Sequence, residues 1–223
     1  MKIIANKILT VFLVLSLTVG CQAIKNSNNT QKGAGIGVAA GALAGGLIGG
    51  NIKGALIGAA IGGVAGGVIG HVMDKQADKI EQAVPGAEVT RVGEGIQVVF
   101  DDKSGVNFAF DSANLTDTSK KNLDAIAEVF NEFPDTNLMV EGHTDDVGNE
   151  DYNMRLSKRR AQAVASYLEN KGVAKNRFSI TGFGEARPRF DNATKDGRAK
   201  NRRVEIGVSA NKEMIDDARA QAN

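Results

Sequence analysis

Glycines recur at every fourth position through an otherwise aliphatic stretch, Gly33, Gly37, Gly41, Gly45 and Gly49, then Gly50, Gly54, Gly58, Gly62, Gly66 and Gly70. This spacing lays a smooth glycine groove along one side of a helix, the pattern of a glycine zipper. Each glycine inside a helix costs about 1 kcal/mol relative to alanine, so the row costs on the order of ten. Only close backbone approach along the groove offsets that loss, and helices in residues 33–73 must therefore pack against something. Asn51 and Lys53 interrupt the run near its centre, which predicts a helical hairpin with its turn at residues 49–54. Three settings fit this hairpin: insertion in a membrane, self-association on or near one, or a flexible spacer. The aliphatic composition disfavours the spacer, because flexible linkers carry Ser and polar residues. His71, at the end of the run, reads as an interfacial flank.

The residues ahead of the glycine row indicate export. Lys2 and Lys7 precede the apolar run 8–17, and Thr18-Val19-Gly20-Cys21 follows, so residues 1–20 read as a secretory signal. The apolar run is too short for a comfortable membrane span. Gly20-Cys21 resembles a bacterial lipobox, with Thr18 where such motifs most often have leucine. Cys21, the chain's single cysteine, would then be acylated and become the mature N-terminus; a free or intermolecularly paired thiol is the competing reading. Several buried acyl chains, at about 0.8 kcal/mol per methylene, would hold the protein on a membrane. In the lipoproteins this segment resembles, the absence of Asp after the cysteine implies the outer membrane, and Gln22 stands there. Residues 21–32 form a polar linker.

Beyond the zipper the periodicities change. Residues 74–83 read as a short charged helix ended near Pro85-Gly86, and residues 88–92 and 96–100 as a hairpin across Gly93-Glu94-Gly95. Phe108 and Phe110 alternate in a predicted strand over 106–110. Leu123, Ile126, Ala127 and Phe130 take helical spacing in 116–130, closed by Phe133-Pro134. A strand over 137–142, a helix over 151–171 and strands over 177–182 and 202–208 follow. This βαβαββ order predicts an α/β sandwich with a mixed sheet. The tail, 211–223, reads as weakly helical or disordered.

On the helix 151–171, Leu156, Val164, Tyr167 and Leu168 define the apolar stripe, and Arg160 falls near its middle. Arg155, Lys158 and Arg159 project from the polar face, so one guanidinium of the group is aimed inward. Leaving it unpaired there costs several kcal/mol or more, so it requires an anion from the protein or from a ligand. Asp111 and Asp145 each follow a strand that leads into a helix, and parallel strands would bring both loops to one sheet edge. Asn153 and Leu156 share the stripe of Arg160. A carboxylate, an amide and a guanidinium around one pocket suit a zwitterion, with Asp145 for an ammonium and Arg160 for a carboxylate. An Asp145–Arg160 ion pair closed within the protein is the competing arrangement. Arg202 shares strand parity with Val204, Ile206 and Val208, and is read as a support for the acidic loop near Asp145 or Asp146.

These segments carry a resemblance. Phe108-Ala109-Phe110-Asp111-Ser112, Gly142-His143-Thr144-Asp145, Asn153-Met154-Arg155-Leu156-Ser157, Arg160-Ala161, Gly182-Phe183-Gly184-Glu185 and Gly197-Arg198-Ala199-Lys200-Asn201-Arg202-Arg203-Val204-Glu205 resemble the OmpA-like peptidoglycan-binding domain of the peptidoglycan-associated lipoproteins. The resemblance covers 104–210, leaving 74–103 as a connecting helix and hairpin. It implies an OmpA-like fold, and binding of the diaminopimelate side chain of peptidoglycan stem peptides through Asp145 and Arg160. The expected ligand-binding set is Asp145, Arg160, Asn153, Thr144, Leu156 and Asp111, with Arg202 supporting and Cys21 lipidated. The front of the chain is similar to OmpA-like lipoproteins bearing glycine zippers. The expectation is a non-enzymatic lipoprotein of the bacterial outer membrane, facing the periplasm and tethering it to peptidoglycan. A zipper-driven oligomeric pore or assembly factor positioned by wall binding is the alternative.

Several other functions find no support in the sequence. Lys and Arg total 27 against 26 Asp and Glu, and there is no Trp, which argues against nucleic acid as the main partner. The acidic segment 111–151 and the basic segment 155–203 complement each other within one fold. No nucleophile–base pair or HExxH motif marks a hydrolase. His143 alternates with Glu141, but with only two histidines and no cysteine partners neither a metal nor another cofactor is expected. The acidic run 145–151 lacks the spacing of a calcium loop.

Overall fold

The computed structural model describes residues 52–58, 63–101, 105–109 and 111–222. The expected signal, Cys21, the linker and the first zipper arm lie outside the described residues, as does Phe110. The elements are α1 (Ile52–Gly58), α2 (Gly63–Ala83), β1 (Glu88–Val92), β2 (Gly95–Phe100), α3 (Asp117–Glu132), β3 (Thr136–Gly142), α4 (Glu150–Asn170), β4 (Phe178–Gly182), α5 (Lys195–Asn201), β5 (Val204–Ala210) and α6 (Lys212–Gln221).

Five strands form one mixed sheet in the order β1-β2-β5-β3-β4, antiparallel throughout except for the β3–β4 pair. Strand alternation divides it into two unlike faces. Ile96, Val98, Leu138, Val140, Ile206 and Val208 point to one face, where they join Ile69, Met73, Ile80, Leu123, Ile126, Phe130 and Leu168 in a single buried cluster. The other face carries Gln97, Met139, Glu141, Glu205 and Gly207, in register across β2, β5 and β3. There, Ile52 and Leu56 of α1 cluster with Val92 and Met139.

The zipper departs from its predicted form. Residues 52–54 of the expected turn open α1, and α2 runs unbroken through the boundary expected between 73 and 74. The reason is burial: Ala65, Ile69, Met73, Ala77 and Ile80 recur at three- and four-residue spacing across that boundary, and all are buried. The glycine-rich part of α2 therefore shares one stripe with its charged part. Gly207 and Gly95 leave room for α1, since a Cβ at Gly207 would lie 2.8 Å from Ile52 Cγ2 and one at Gly95 2.5 Å from Leu56 Cδ2. Among the described residues no helix is long and apolar enough to cross a membrane.

Three other segments differ from expectation. Residues 106–109 do not join the sheet, and Phe110 lies outside the described residues; Phe108 makes only an isolated bridge to Leu115. Their backbone groups are used locally: Ala109 N–H donates to Asn114, and Asn107 exchanges hydrogen bonds of 2.6 and 2.7 Å with the Ser119 hydroxyl. The last strand starts at Val204, because Arg202 N–H donates to the Arg198 carbonyl and ends α5, a short helix the periodicity did not mark. The tail forms α6, capped by the Asn211 side chain and held by buried Ile215 and Ala218.

Helix α4 lies directly on the backbones of β3 and β4. A Cβ at Gly142 would lie 2.1 Å from the Ser157 carbonyl oxygen, and one at Gly182 would lie 2.5 Å from the Lys158 nitrogen. Gly142→Ala is expected to destabilise the fold by about 1–3 kcal/mol, because the joint must open to admit a methyl group. Urea denaturation checks this, and an unchanged midpoint would show that the joint yields freely.

Candidate functional site

The carboxyl ends of β3 and β4 and the start of β5 meet at one sheet edge. From β3 the chain enters a loop pinned at successive residues: His143 N–H donates to the Arg203 carbonyl at 3.0 Å and Thr144 N–H to the Gly184 carbonyl at 2.9 Å. Asp145 follows, 8% exposed, one carboxylate oxygen accepting the Val147 N–H at 3.2 Å. Gly148, at φ 112°, turns the chain into α4, whose N-cap Asn149 accepts the N–H groups of Asp151 and Tyr152. The buried Asn153 amide reaches back, donating to the carbonyls of Asp145 and Val147 and to the Glu185 carboxylate. Asn153 thus holds the loop in shape.

Two guanidinium groups stand at this sheet edge, one on this loop and one on the loop that carries Ser112. Arg202, delivered by the end of α5, donates to the second Asp145 oxygen at 2.7 Å. Arg160 is half-buried; its Nε donates to the Ser112 carbonyl at 3.0 Å, and its guanidinium stands 5.1 Å from the centre of the Phe108 ring. It sits at the edge of the buried stripe, not its middle. The stripe is centred on Ser157, Ala161 and Ala165, small residues that allow α4 to approach the sheet, whereas hydropathy weighted the larger Leu and Val. Asp111 holds φ 53°, a left-handed conformation uncommon for a residue with a Cβ, and its carboxylate accepts the Tyr152 hydroxyl. That contact is the main reason the Tyr152 phenol titrates above its ordinary value.

These pieces enclose a cavity of about 660 Å³. Asp111, Thr144, Asp145, Asn153, Leu156 and Arg160 all line it, as does Arg202. Asp111 arrives from a loop outside the sheet, not from the strand end expected of it. The sequence reading missed Phe108, Tyr152, Lys195 and Arg198 as cavity walls. The alternation of Phe108 with Phe110 reads as a strand, which conceals Phe108 as a wall residue, and Lys195 and Arg198 belong to α5, which no periodicity marks. Thr144 is 3% exposed and its hydroxyl has no hydrogen-bond partner among the described residues.

The mixed sheet opens at one edge onto a cleft walled by carboxylates, guanidiniums and an aromatic ring, an α/β domain with a candidate ligand site. The chain matches the OmpA family model over residues 107–202 and a YMGG-like Gly-zipper model over residues 1–74. It is similar to the probable lipoprotein YiaD of Escherichia coli, 38% identical over 136 residues, which cover 61% of this chain and 62% of that one. It is also similar to the peptidoglycan-binding protein ArfA of Mycobacterium tuberculosis, 38% identical over 130 residues, 57% of this chain and 40% of that one. The chain thus spans less than two thirds of each curated relative. Among solved structures, the cell wall anchor of the T6SS from Pseudomonas aeruginosa is 32% identical, with a TM-score of 0.50 over 62% of this chain and 96% of that one.

Proposed function

We propose that the domain binds peptidoglycan by gripping the free end of a diaminopimelate side chain, and that the protein tethers the bacterial outer membrane to the cell wall. The observation that carries this reading is the presence of Asp145 and Arg160 on the wall of one cavity. Asp145 takes the ammonium of the zwitterion. Its two oxygens already accept from Arg202 and Val147, but a carboxylate offers about four acceptor sites, so it keeps capacity for a ligand. Arg202 orients that carboxylate. Arg160 receives the ligand carboxylate while Phe108 supports the guanidinium, and the unpartnered Thr144 hydroxyl serves a further polar atom. Lys195 and Arg198 bias the cleft toward ligands richer in carboxylates than in ammonium groups. Similarity to a peptidoglycan-binding protein and to a cell wall anchor supports the reading. For the membrane end, support comes from the lipobox-like Gly20-Cys21 and from similarity to a probable lipoprotein. The proposed role is non-enzymatic.

Lysine, which replaces diaminopimelate in other cell walls, retains the ammonium and lacks the carboxylate. Full-length protein mixed with sacculi of each type should sediment with the diaminopimelate type at least about tenfold more efficiently, a difference of about 1.4 kcal/mol. Equal capture by both types would overturn the assignment of Arg160, and capture by neither would overturn wall binding itself.

A further inference from the structure

On the polar face of the sheet, register places Glu141 of β3 directly opposite Glu205 of β5. The two are 8% and 3% exposed. Like charges facing each other across a strand pair repel, and burial strengthens the repulsion. Glu205 has partners: Arg203 Nε donates to its Oε1 at 2.7 Å, and the Gln97 amide donates to its Oε2. Glu141 Oε2 has no hydrogen-bond partner among the described residues.

His143 completes the cluster. It is 1% exposed, and neither ring nitrogen makes a hydrogen bond among the described residues. Orphaned buried polar atoms are rare and need a cause. Its Nε2 lies 3.9 Å from Glu141 Oε2 and 3.8 Å from Glu205 Oε1. These separations exceed a hydrogen bond. They are a few tenths of an ångström wider than two donors on one shared cation, because tetrahedral ligand atoms about 2.0–2.2 Å from zinc lie about 3.3–3.6 Å apart.

We propose that Glu141, His143 and Glu205 form a site for a divalent transition-metal cation of the zinc class. One ligand atom from each residue falls within 4.8 Å of the others, so closure asks for side-chain shifts of under an ångström or so. An imidazole beside two carboxylates selects zinc, cobalt or nickel over calcium and magnesium, which prefer oxygen alone. Three guanidiniums, Arg203, Arg187 and Arg189, also act on this cluster, so a cation competes with them for the two carboxylates and its hold comes from the unpartnered imidazole and Glu141 Oε2. Arg203 occupies one acceptor direction of Glu205 Oε1 and leaves another open. Phe183 stacks on the imidazole with centroids 5.5 Å apart, fixing the ring plane. His143 and Arg203 also line the binding cleft, which gives a cation its path inward. A bound ion would cross-link β3 to β5 immediately before Thr144 and Asp145, stiffening the loop that carries them.

The test uses metal-free full-length protein titrated with zinc, and with cobalt as a visible-absorbing probe. The expected result is one zinc per chain, a raised melting temperature, and imidazole ¹⁵N shifts for His143 in the NMR spectrum. Glu141→Gln and His143→Gln should each weaken zinc binding at least tenfold with unchanged far-UV circular dichroism. His71→Gln, which alters the chain's other histidine, should leave it unchanged. If either site variant fails to fold, the wild-type NMR titration decides. Zinc uptake that is absent, that is lost in His71→Gln, or that leaves the His143 nitrogens unmoved overturns the proposal.

Discussion

Arg160→Ala is expected to weaken binding of diaminopimelate-type peptidoglycan by about 2–5 kcal/mol, from roughly thirtyfold to a few thousandfold. The size follows from what is left behind: a ligand carboxylate enters a cleft stripped of its bidentate donor, and Phe108 loses the cation it stacks with. Arg160→Lys should recover only part of the loss, because an ammonium cannot reproduce the two parallel N–H donors of a guanidinium. Asp145→Ala should fall in the same range by a different route, leaving Arg202 without its 2.7 Å partner as well as removing the acceptor for the ligand ammonium. Equilibrium binding of a soluble muropeptide measures both. Wild-type affinity in both variants, with circular dichroism confirming the fold, would refute the roles assigned to them.

The largest effect on stability is expected at Arg177, which ends the short turn before β4 and is 7% exposed. Its guanidinium donates to the carbonyls of Thr136, Phe130 and Phe133 at 2.7, 2.7 and 3.0 Å, and to the Thr136 hydroxyl at 2.8 Å. One side chain thus satisfies carbonyls at the end of α3 and ties them to the start of β3. Burial pulls its pKa below the ordinary arginine value, yet a guanidinium remains charged. Arg177→Met keeps much of the volume and leaves the acceptors buried without donors, so a loss of about 3–5 kcal/mol is expected. Urea denaturation should show the midpoint lowered by about 1 M or more with the slope preserved. A change below about 1 kcal/mol would mean that water replaces the guanidinium at little cost.

What the sequence disclosed depended on whether a contact was local. The hairpin was legible because Gly93-Glu94-Gly95 punctuates two alternating runs, and the structure pairs Val92 with Gly95 across it. Helix α3 was legible because Thr116 stands ahead of Leu123, Ile126 and Phe130, and its hydroxyl accepts the Ser119 N–H. Residues 106–109 depart from the expected strand because alternation records what a segment could do in a sheet, not whether an edge is available to it. Helix α5 carries mainly charges and packs few apolar residues, so no stripe announced it. Of the cleft residues, those on α4 and its preceding loop could be found from spacing, since one helix fixes their relations. Arg202 was read as a support for the acidic loop, and the structure joins it to Asp145. The partnership of Glu141 and His143 with Glu205 could not be found, because it depends on which strand lies beside β3, and the intervening α4, β4 and α5 hide that neighbour.

The unbroken course of α2 has a mechanical consequence. Lys79 is bridged to Glu132 of α3, Asp74 pairs with Arg91 of β1 at 2.8 Å, and Ile69, Met73 and Ile80 are sunk in the main core. Tension applied at Gly63 is therefore distributed along several turns as shear, instead of peeling one strand from its neighbour. Elements loaded in shear must break many contacts together, so a pull entering through α2 would be expected to meet Ile69, Met73 and Ile80 as one resisting row.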